Sequence, residues 1–328
     1  MRYVTDIPSM YIDTIQQLIK EDRYRSVQDF ILTACQNQIY LEQEKPLDIA
    51  DGLQNPIEPV SNPPNGNRVL QLTSLNLEVP TVETPEHAPD VMWGQWNRYF
   101  PVKLATRVLA NLLKEKGSNT VPLGVLHESA ADTARQYGKV IAKKDRELGR
   151  KRGGILAAGL PVGNEDKAKL RFKMQFVGYL SKDKLEGAGP TLRFINIKKD
   201  NGTVVAGLTE YGLKFASLEN PILDRNDFSS PFYDAEVNFL LDHVKNILPQ
   251  EAEVNRFVLQ KITSGIATPD KLDEEFKKFK PEWKGSEASS MRSGLISRLI
   301  ELGLIRRDKE GVKVSYALTK RGYDFLKT

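Results

Sequence analysis

The sequence has very little of the chemistry that builds disulfide scaffolds, metal centres and common active sites. It contains a single cysteine, Cys35, which excludes an internal disulfide and an all-cysteine metal site. Its three histidines, His87, His127 and His243, lie in separate segments without metal-ligand spacing. We find no phosphate-loop motif, nucleophile elbow or carboxylate cluster. The expectation is a protein that is not an enzyme and uses no cofactor and no metal.

Long apolar runs are also missing. None approaches the roughly 18 residues that a membrane-spanning helix needs. The N-terminus lacks the charged and then apolar pattern of a secretion signal. These absences predict a soluble, cytoplasmic protein with no membrane partner. At 328 residues the chain is long enough for two or three domains, each with its own core.

Prolines and acidic residues concentrate between residues 44 and 92. This stretch has eight acids against only Lys45 and Arg68. Such a composition resists both helix formation and core packing, and predicts a linker. Within it, residues 69–79 alternate apolar and polar side chains, so this segment is a candidate strand that binds a neighbouring domain or a protein partner. The linker is therefore negatively charged, whereas the whole chain has a net charge of +4. The segments outside the linker must carry more positive charge than this total suggests.

Residues 1–43 have the pattern of one short strand and two helices. Residues 2–7 alternate, Ser9 opens an amphipathic helix, and Ser26 precedes a second one. One strand and two helices are too small to fold alone, so we expect an intertwined dimer. Residues 2–41 resemble the ribbon-helix-helix family, in which paired strands enter the DNA major groove.

The resemblance implies a role for individual residues of this module. The groove-facing positions would be Arg2 and Val4, and Ser26 would hold a phosphate at a helix N-terminus. Dimerisation would use Tyr3, Thr5, Ile7, Phe30 and Ile31. An alternative stays open: Ser26 is only an N-cap, and the ribbon only joins two subunits.

The last hundred residues predict several helices followed by a hairpin. Amphipathic helices are expected at residues 237–247, 254–262 and 269–279, and another begins at Ser286 and ends at Gly303. A turn at residues 308–311 then separates two strands, and a short helix closes the chain. That order of elements resembles the second half of the winged helix-turn-helix family.

An internal repeat extends this resemblance to the middle of the chain. Residues 208–215 share Leu, Thr, Gly and Phe with residues 318–325 at the same offsets. Upstream, Gly178 aligns with Gly303, which leaves about fourteen extra residues and a longer hairpin in the first copy. Predicted helices at residues 101–116, 126–148 and 166–179 precede this copy, and its hairpin turns at Asn201-Gly202.

The predicted fold class is therefore mainly α with small β-hairpins. A ribbon-helix-helix dimerisation module at residues 1–43 is followed by the linker at 44–92. Two winged-helix domains follow, at 93–228 and 229–328.

In winged helices the helix before the hairpin enters the major groove, and the hairpin lies against phosphates. In the C-terminal copy the resemblance therefore assigns DNA contact to Ser290, Arg292, Ser293, Ser297, Arg298, Arg306, Arg307, Lys309 and Lys313. In the first copy it assigns the hairpin residues Lys198 and Lys199. A basic run supplies further candidates at Lys139, Lys143, Lys144, Arg146, Arg150, Lys151 and Arg152. The same run also suits an ordinary solvated helix.

These features predict a homodimer that binds double-stranded DNA, most simply a sequence-specific transcriptional regulator. Two alternatives remain open. One is a replication-initiator or partition protein of a plasmid, virus or mobile element. The other is an assembly subunit whose winged helices bind protein.

Overall fold

A computed structural model describes residues 9–20, 27, 78–86, 88–151, 153–163, 166–182, 184–283 and 286–327. The chain forms two compact units, Met1–Asn65 and Gly66–Thr328. It is mainly helical with small antiparallel sheets, which confirms the fold class at that level. Among the described helices, none is both long and apolar enough to cross a bilayer.

In the first unit the structure describes helix α1, Ser9–Lys20, where the sequence predicted the first helix. Ile15 is buried on its apolar face. The positions predicted for dimerisation and groove contact, together with residues 69–77 of the proposed partner segment, lie outside the described residues. The positions predicted for dimerisation and groove contact are Arg2, Tyr3, Val4, Thr5, Ile7, Ser26, Phe30 and Ile31.

The second unit begins with a helix, a short strand and a long helix. Helix α2 spans Phe100–Lys116, with a proline in its first turn and Gly117 at φ 58° ending it, as predicted. Strand β1, Val121–Pro122, leads into α3, Leu123–Glu147. Helix α4, Asp166–Phe172, continues into a π-helical turn, Lys173–Val177.

A small hairpin, β2 (Tyr179–Ser181) with β3 (Lys184–Glu186), and a short helix α5 (Ala188–Thr191) come next. The main hairpin pairs β4 (Ile195–Asp200) with β5 (Thr203–Leu208) around the predicted Asn-Gly turn. Strand β1 adds to β5, which gives a three-stranded sheet in the order β1-β5-β4. Helices α6 (Glu210–Ser217) and α7 (Pro221–Arg225) close this half.

The remaining chain shares with the first half an edge segment, helices, a two-stranded hairpin and a closing helix, but it has no counterpart of the β2–β3 hairpin. Four helices, α8 (Asp234–Ile247), α9 (Pro249–Thr263), α10 (Pro269–Phe279) and α11 (Ser286–Glu301), precede a hairpin. That hairpin pairs β6 (Ile305–Glu310) with β7 (Lys313–Leu318), and α12 (Lys320–Lys327) ends the described chain. The Tyr316 backbone N–H donates to the Ala267 carbonyl at 2.9 Å. Ala267 therefore lies beside β7 as Val121 lies beside β5.

The two main hairpins and the residues around them correspond, in an alignment that differs from the predicted one. Leu302-Gly303-Leu304-Ile305 matches Leu192-Arg193-Phe194-Ile195, and Arg193 has φ 58° where Gly303 has φ 68°. Gly178 instead leads into the extra β2–β3 hairpin. The extra elements lie before the main hairpin, and both main hairpins have six-residue strands. The expected longer first hairpin is therefore wrong.

Residues 93–228 and 229–328 share one continuous hydrophobic core. Two buried ion pairs accompany it. Lys103 on α2 pairs with Glu236 on α8 at 2.9 Å, and Arg298 on α11 pairs with Glu251 on α9 at 2.8 Å. The Lys103 pair joins the two halves directly, so they form a single packed body.

Candidate nucleic-acid interface

The hairpin of the first copy presents cations near its turn. Lys198 and Lys199 are exposed at the end of β4. Residues 78–86 and 88–92, predicted to be the end of a linker, instead pack on the body, with Val79, Ala88 and Met92 buried in its core. They run beside this hairpin, where the Asn196 side-chain amide donates to the Glu83 carbonyl at 2.8 Å. A cleft of about 480 Å³ is lined by both lysines and by Glu83 and Glu86. This packed segment thus places carboxylates close to the hairpin's cations.

The hairpin of the C-terminal copy is basic and carries an apolar tip. Lys309 and Lys313 are exposed, and Arg306 is exposed beside Asp308 at 3.3 Å. Val312 at the turn is 95% exposed. An exposed pair such as Arg306 with Asp308 is weak, so it leaves Arg306 able to meet a phosphate. This hairpin therefore keeps most of its predicted contact residues at the surface.

The small-residue face of α11 is covered, contrary to the expectation that it enters a groove. A Cβ built on Gly294 would lie 2.2 Å from the Gly94 carbonyl oxygen, so the helix touches the 93–98 segment directly. The carbonyl of Ser297 accepts from the Arg98 Nη1 at 2.7 Å, and its hydroxyl donates to the Ser293 carbonyl. Ser293 and Ser297 are half-buried, and only the Ser290 side chain is exposed. The small residues serve close packing of helix against backbone.

Arg298 cannot contact DNA from its observed position. It is 1% exposed, and its guanidinium pairs with Glu251 and donates to the carbonyls of Met92 and Trp96. Helical spacing placed it beside the serine face, but that face points into the protein. Arg292 is also engaged, because its Nε pairs with Asp273 at 2.6 Å in a largely buried contact.

The basic run along α3 divides into exposed and structural members. Lys139, Lys143, Arg146 and Lys151 are exposed, whereas Lys144 is half-buried and donates to Glu147 at 2.8 Å. That hydrogen bond lowers the pKa of the exposed Glu147 carboxyl. Arg152 lies outside the described residues.

Arg150, which was expected to contact DNA, is held inside the protein. Its Nη1 pairs with the buried Asp145 at 2.9 Å, and its Nη2 donates to the Phe228 carbonyl. Asp145 also accepts from the backbone N–H groups of Leu156 and Ala157. Arg150 therefore helps to hold, through Asp145, the loop at residues 153–157 that follows α3. We call these residues the anchored loop.

This anchored loop brings two predicted basic regions together. A Cβ built on Gly153 would lie 3.5 Å from the Cδ of Arg307, at the start of the C-terminal hairpin. Lys151, Arg307 and Lys309 then line one cleft between the two halves. These cations lie far apart in the sequence, and no local pattern indicates that they meet.

The cleft also contains two cations that we did not predict from the sequence, Arg98 and Arg321. Arg98 lies two residues before the first residue of α2, near a helix end that disfavours positive charge because of the helix dipole. That placement is the only local signal that Arg98 has a special role. Arg321 looks like an ordinary surface residue of α12 in the sequence.

The histidines take part in packing. The ring of His243 is buried with its Nε2 2.7 Å from the Leu192 carbonyl oxygen, and burial lowers its pKa to about 4. His127 makes a similar contact with the Gly178 carbonyl, and burial lowers its pKa too. His87 lies outside the described residues. No cluster of three or more His, Cys, Asp or Glu side chains that could hold a metal occurs in the part of the chain that the structure describes.

Comparison with protein-family models, with curated proteins and with solved structures finds no significant match to this chain.

Proposed function

We propose that this protein is a sequence-specific DNA-binding regulator with two winged helices in each chain. The observation that carries the proposal is the duplication. Each half contains an edge segment, helices, a two-stranded hairpin and a closing helix in that order, and the edge contact at Val121 is matched at Ala267. Winged helices have this order of elements and place the hairpin, or wing, against nucleic acid.

The wings support the proposal by their charge. Lys198 and Lys199 lie on the first wing, and Lys309 and Lys313 on the second, all of them exposed. Lysines on a protruding hairpin can meet backbone phosphates without rearranging a core, because their charged ends are already in solvent. In this proposal the wings and the exposed members of the α3 run supply the affinity. The serine face of α11 has no part in it.

The shared core sets a constraint on the DNA site. Because the two halves pack as one body, both wings have a fixed separation within a chain. The proposed ribbon-helix-helix module joins two such bodies into a cytoplasmic homodimer, so symmetry favours an inverted or direct repeat as the binding site. In this proposal the part of the linker before residue 78 gives the dimer module and the body room to engage separated sites.

A replication-initiator or partition role is the second candidate. Paired winged helices in one chain resemble the architecture of plasmid initiators, and the fixed spacing of the two units favours a tandem array of sites. A third role, protein assembly, predicts no DNA site.

Footprinting of the full chain on the DNA around its own gene separates these roles. One compact protected site supports the regulator. Regularly spaced protected repeats support the initiator. The absence of protection at any protein concentration below the millimolar range contradicts both.

A further inference from the structure

A cleft between the two halves has the features of a small-molecule site. Its volume is about 800 Å³, and it is bounded by residues 150–151 and 153–156, the segment at 229–237 and the junction of α11 with β6. Small-molecule sites occupy roughly 300 to 1,000 Å³ and commonly lie between packed units. The cleft is therefore large enough for a nucleotide.

The lining of this cleft is strongly basic. Six cations line it, against only two acids, Asp234 and Glu301. The cations are Arg98, Arg150, Lys151, Arg307, Lys309 and Arg321. Arg150 is neutralised by Asp145, and Arg321 pairs with Asp234.

Three of the lining cations remain available. Lys151, Arg307 and Lys309 make no ion pair with any residue that the structure describes. Lys151 comes from the first half and the other two from the C-terminal wing, so the halves together supply this charge.

The buried Arg98 adds unused hydrogen-bonding capacity. It is 6% exposed, and its Nη1 donates to Ser297. Its Nη2 has only a 3.5 Å contact with the Gly153 carbonyl, and its Nε has no hydrogen-bond partner among the described residues. A buried guanidinium with unmet donors is costly unless an acceptor satisfies it. An anion at this place would supply that acceptor.

One wall of the cleft is apolar. Phe232 and Ile300 line it, and Ile155 on the anchored loop is 36% exposed. An apolar wall beside a basic floor suits a ligand that has both a flat apolar part and a charged group.

We propose that this cleft binds a phosphate-bearing small molecule of nucleotide size. Arginine and lysine side chains bind phosphate through charge-assisted hydrogen bonds. In the proposed complex the phosphate of the ligand lies towards Arg98, Arg307 and Lys151. A duplex could meet the exposed lysines at the rim but not the buried Arg98. This proposal does not depend on DNA binding by the wings.

Isothermal titration of the full chain tests the proposal with three probes: ATP, inorganic pyrophosphate and adenosine. We expect ATP and pyrophosphate to bind one per chain at submillimolar Kd, and adenosine to bind at least about tenfold more weakly.

Arg307→Gln and Lys151→Gln should each weaken ATP binding about tenfold, since each removes one charged contact. The matched control Lys198→Gln, on the first wing, should leave the Kd unchanged. Urea unfolding of each variant identifies any that fails to fold.

Three results would overturn the proposal. One is the absence of pyrophosphate and ATP binding to the folded wild-type chain. Another is binding that the folded Arg307 and Lys151 variants retain in full. The third is displacement of pyrophosphate by a short DNA duplex whose own binding falls by the same factor in both variants, which would assign the cleft to the DNA backbone.

Discussion

The hydroxyl groups of Thr209 and Thr319 hold the ends of the two wings by the same contacts. Each donates to the carbonyl of the residue at the left-handed position before its hairpin, Arg193 in one copy and Gly303 in the other. Each also caps the next helix, accepting from the N–H of Gly212 at 3.1 Å or of Gly322 at 3.2 Å. The identical Thr and Gly in the two sequences therefore mark a piece of geometry that both copies of the repeat share.

These glycines should not tolerate a methyl group. A Cβ on Gly322 would lie 2.1 Å from the Leu304 carbonyl oxygen, and one on Gly212 2.0 Å from that of Phe194. We expect Gly322→Ala to lower the free energy of unfolding by about 1 to 3 kcal/mol, because backbone must move to admit the methyl group. Urea denaturation followed by circular dichroism measures this.

Gly124→Ala is the matched control, since Gly124 lies exposed in α3 with open space around it. Its stability should be unchanged or slightly raised, as alanine favours helix. Equal destabilisation by both substitutions would contradict the close approach at Gly322.

Arg298 should act on stability and not on DNA affinity. Arg298→Met leaves Glu251 buried without its cation, and the free energy of unfolding should fall by about 3 to 5 kcal/mol. The control Arg306→Gln removes the same positive charge from an exposed position. It should change the free energy of unfolding by no more than about 0.5 kcal/mol. The double substitution Arg298→Met with Glu251→Leu should recover part of the loss. The prediction would be contradicted if the Arg298→Met protein had wild-type stability but no longer bound DNA. Arg298 would then belong to the DNA interface.

His243 should make the protein less stable in mild acid. Its pKa falls from 6.5 to about 4 on folding, so between these values the unfolded chain binds a proton that the folded protein does not. Stability from this group is complete above pH 6.5 and is lost as the pH falls, by about 2 kcal/mol between pH 7 and pH 5. In His243→Gln, the difference in unfolding free energy between the two pH values should shrink by that amount.

His127→Gln controls for the half-buried imidazole of His127, because it leaves the His243 contribution in place. A wild-type difference that persists in full in His243→Gln would show that His243 titrates normally in the folded protein.

The sequence predicted most of the long helices and the two main hairpins because their signals are local, but it missed the β2–β3 hairpin that follows Gly178. Gly117, the prolines that open helices and the Asn201-Gly202 turn each act within a few residues. The alignment of the repeat failed for a definite reason. Arg193 adopts the left-handed conformation that a glycine usually marks, so Gly178 looked like the better partner for Gly303.

The site was harder to predict, because helical spacing shows which residues share a face but not what covers it. The serines of α11 looked like a surface for DNA, although the nearest neighbour of Gly294 is Gly94, far away in sequence. Arg298 and Arg150 have charges matched by Glu251 and Asp145, and neither partnership leaves a sequence signature. Long-range contacts of this kind decide which cations remain free.

The N-terminal module should account for dimerisation. A chain lacking residues 1–43 should be a monomer by light scattering while the full chain is a dimer, because a single strand and two helices need a second copy to complete a core. The deletion should leave the thermal unfolding of the remaining body intact. If the deletion left the protein a dimer, the dimer contact would have to lie outside residues 1–43.

The dependence of duplex affinity on salt tests the central claim most directly. Fluorescence anisotropy of the full chain on a duplex should show log K falling steeply with log salt, by about 0.9 for each phosphate that the protein neutralises. Replacing Lys198, Lys199, Lys309 and Lys313 by glutamine should reduce this slope by about 0.9 for each phosphate that is no longer neutralised. Replacing Lys320 and Lys327 on α12 is the control and should leave the slope unchanged. A nearly flat response in the wild type, or a full slope in the folded wing variant, would contradict DNA binding by the wings.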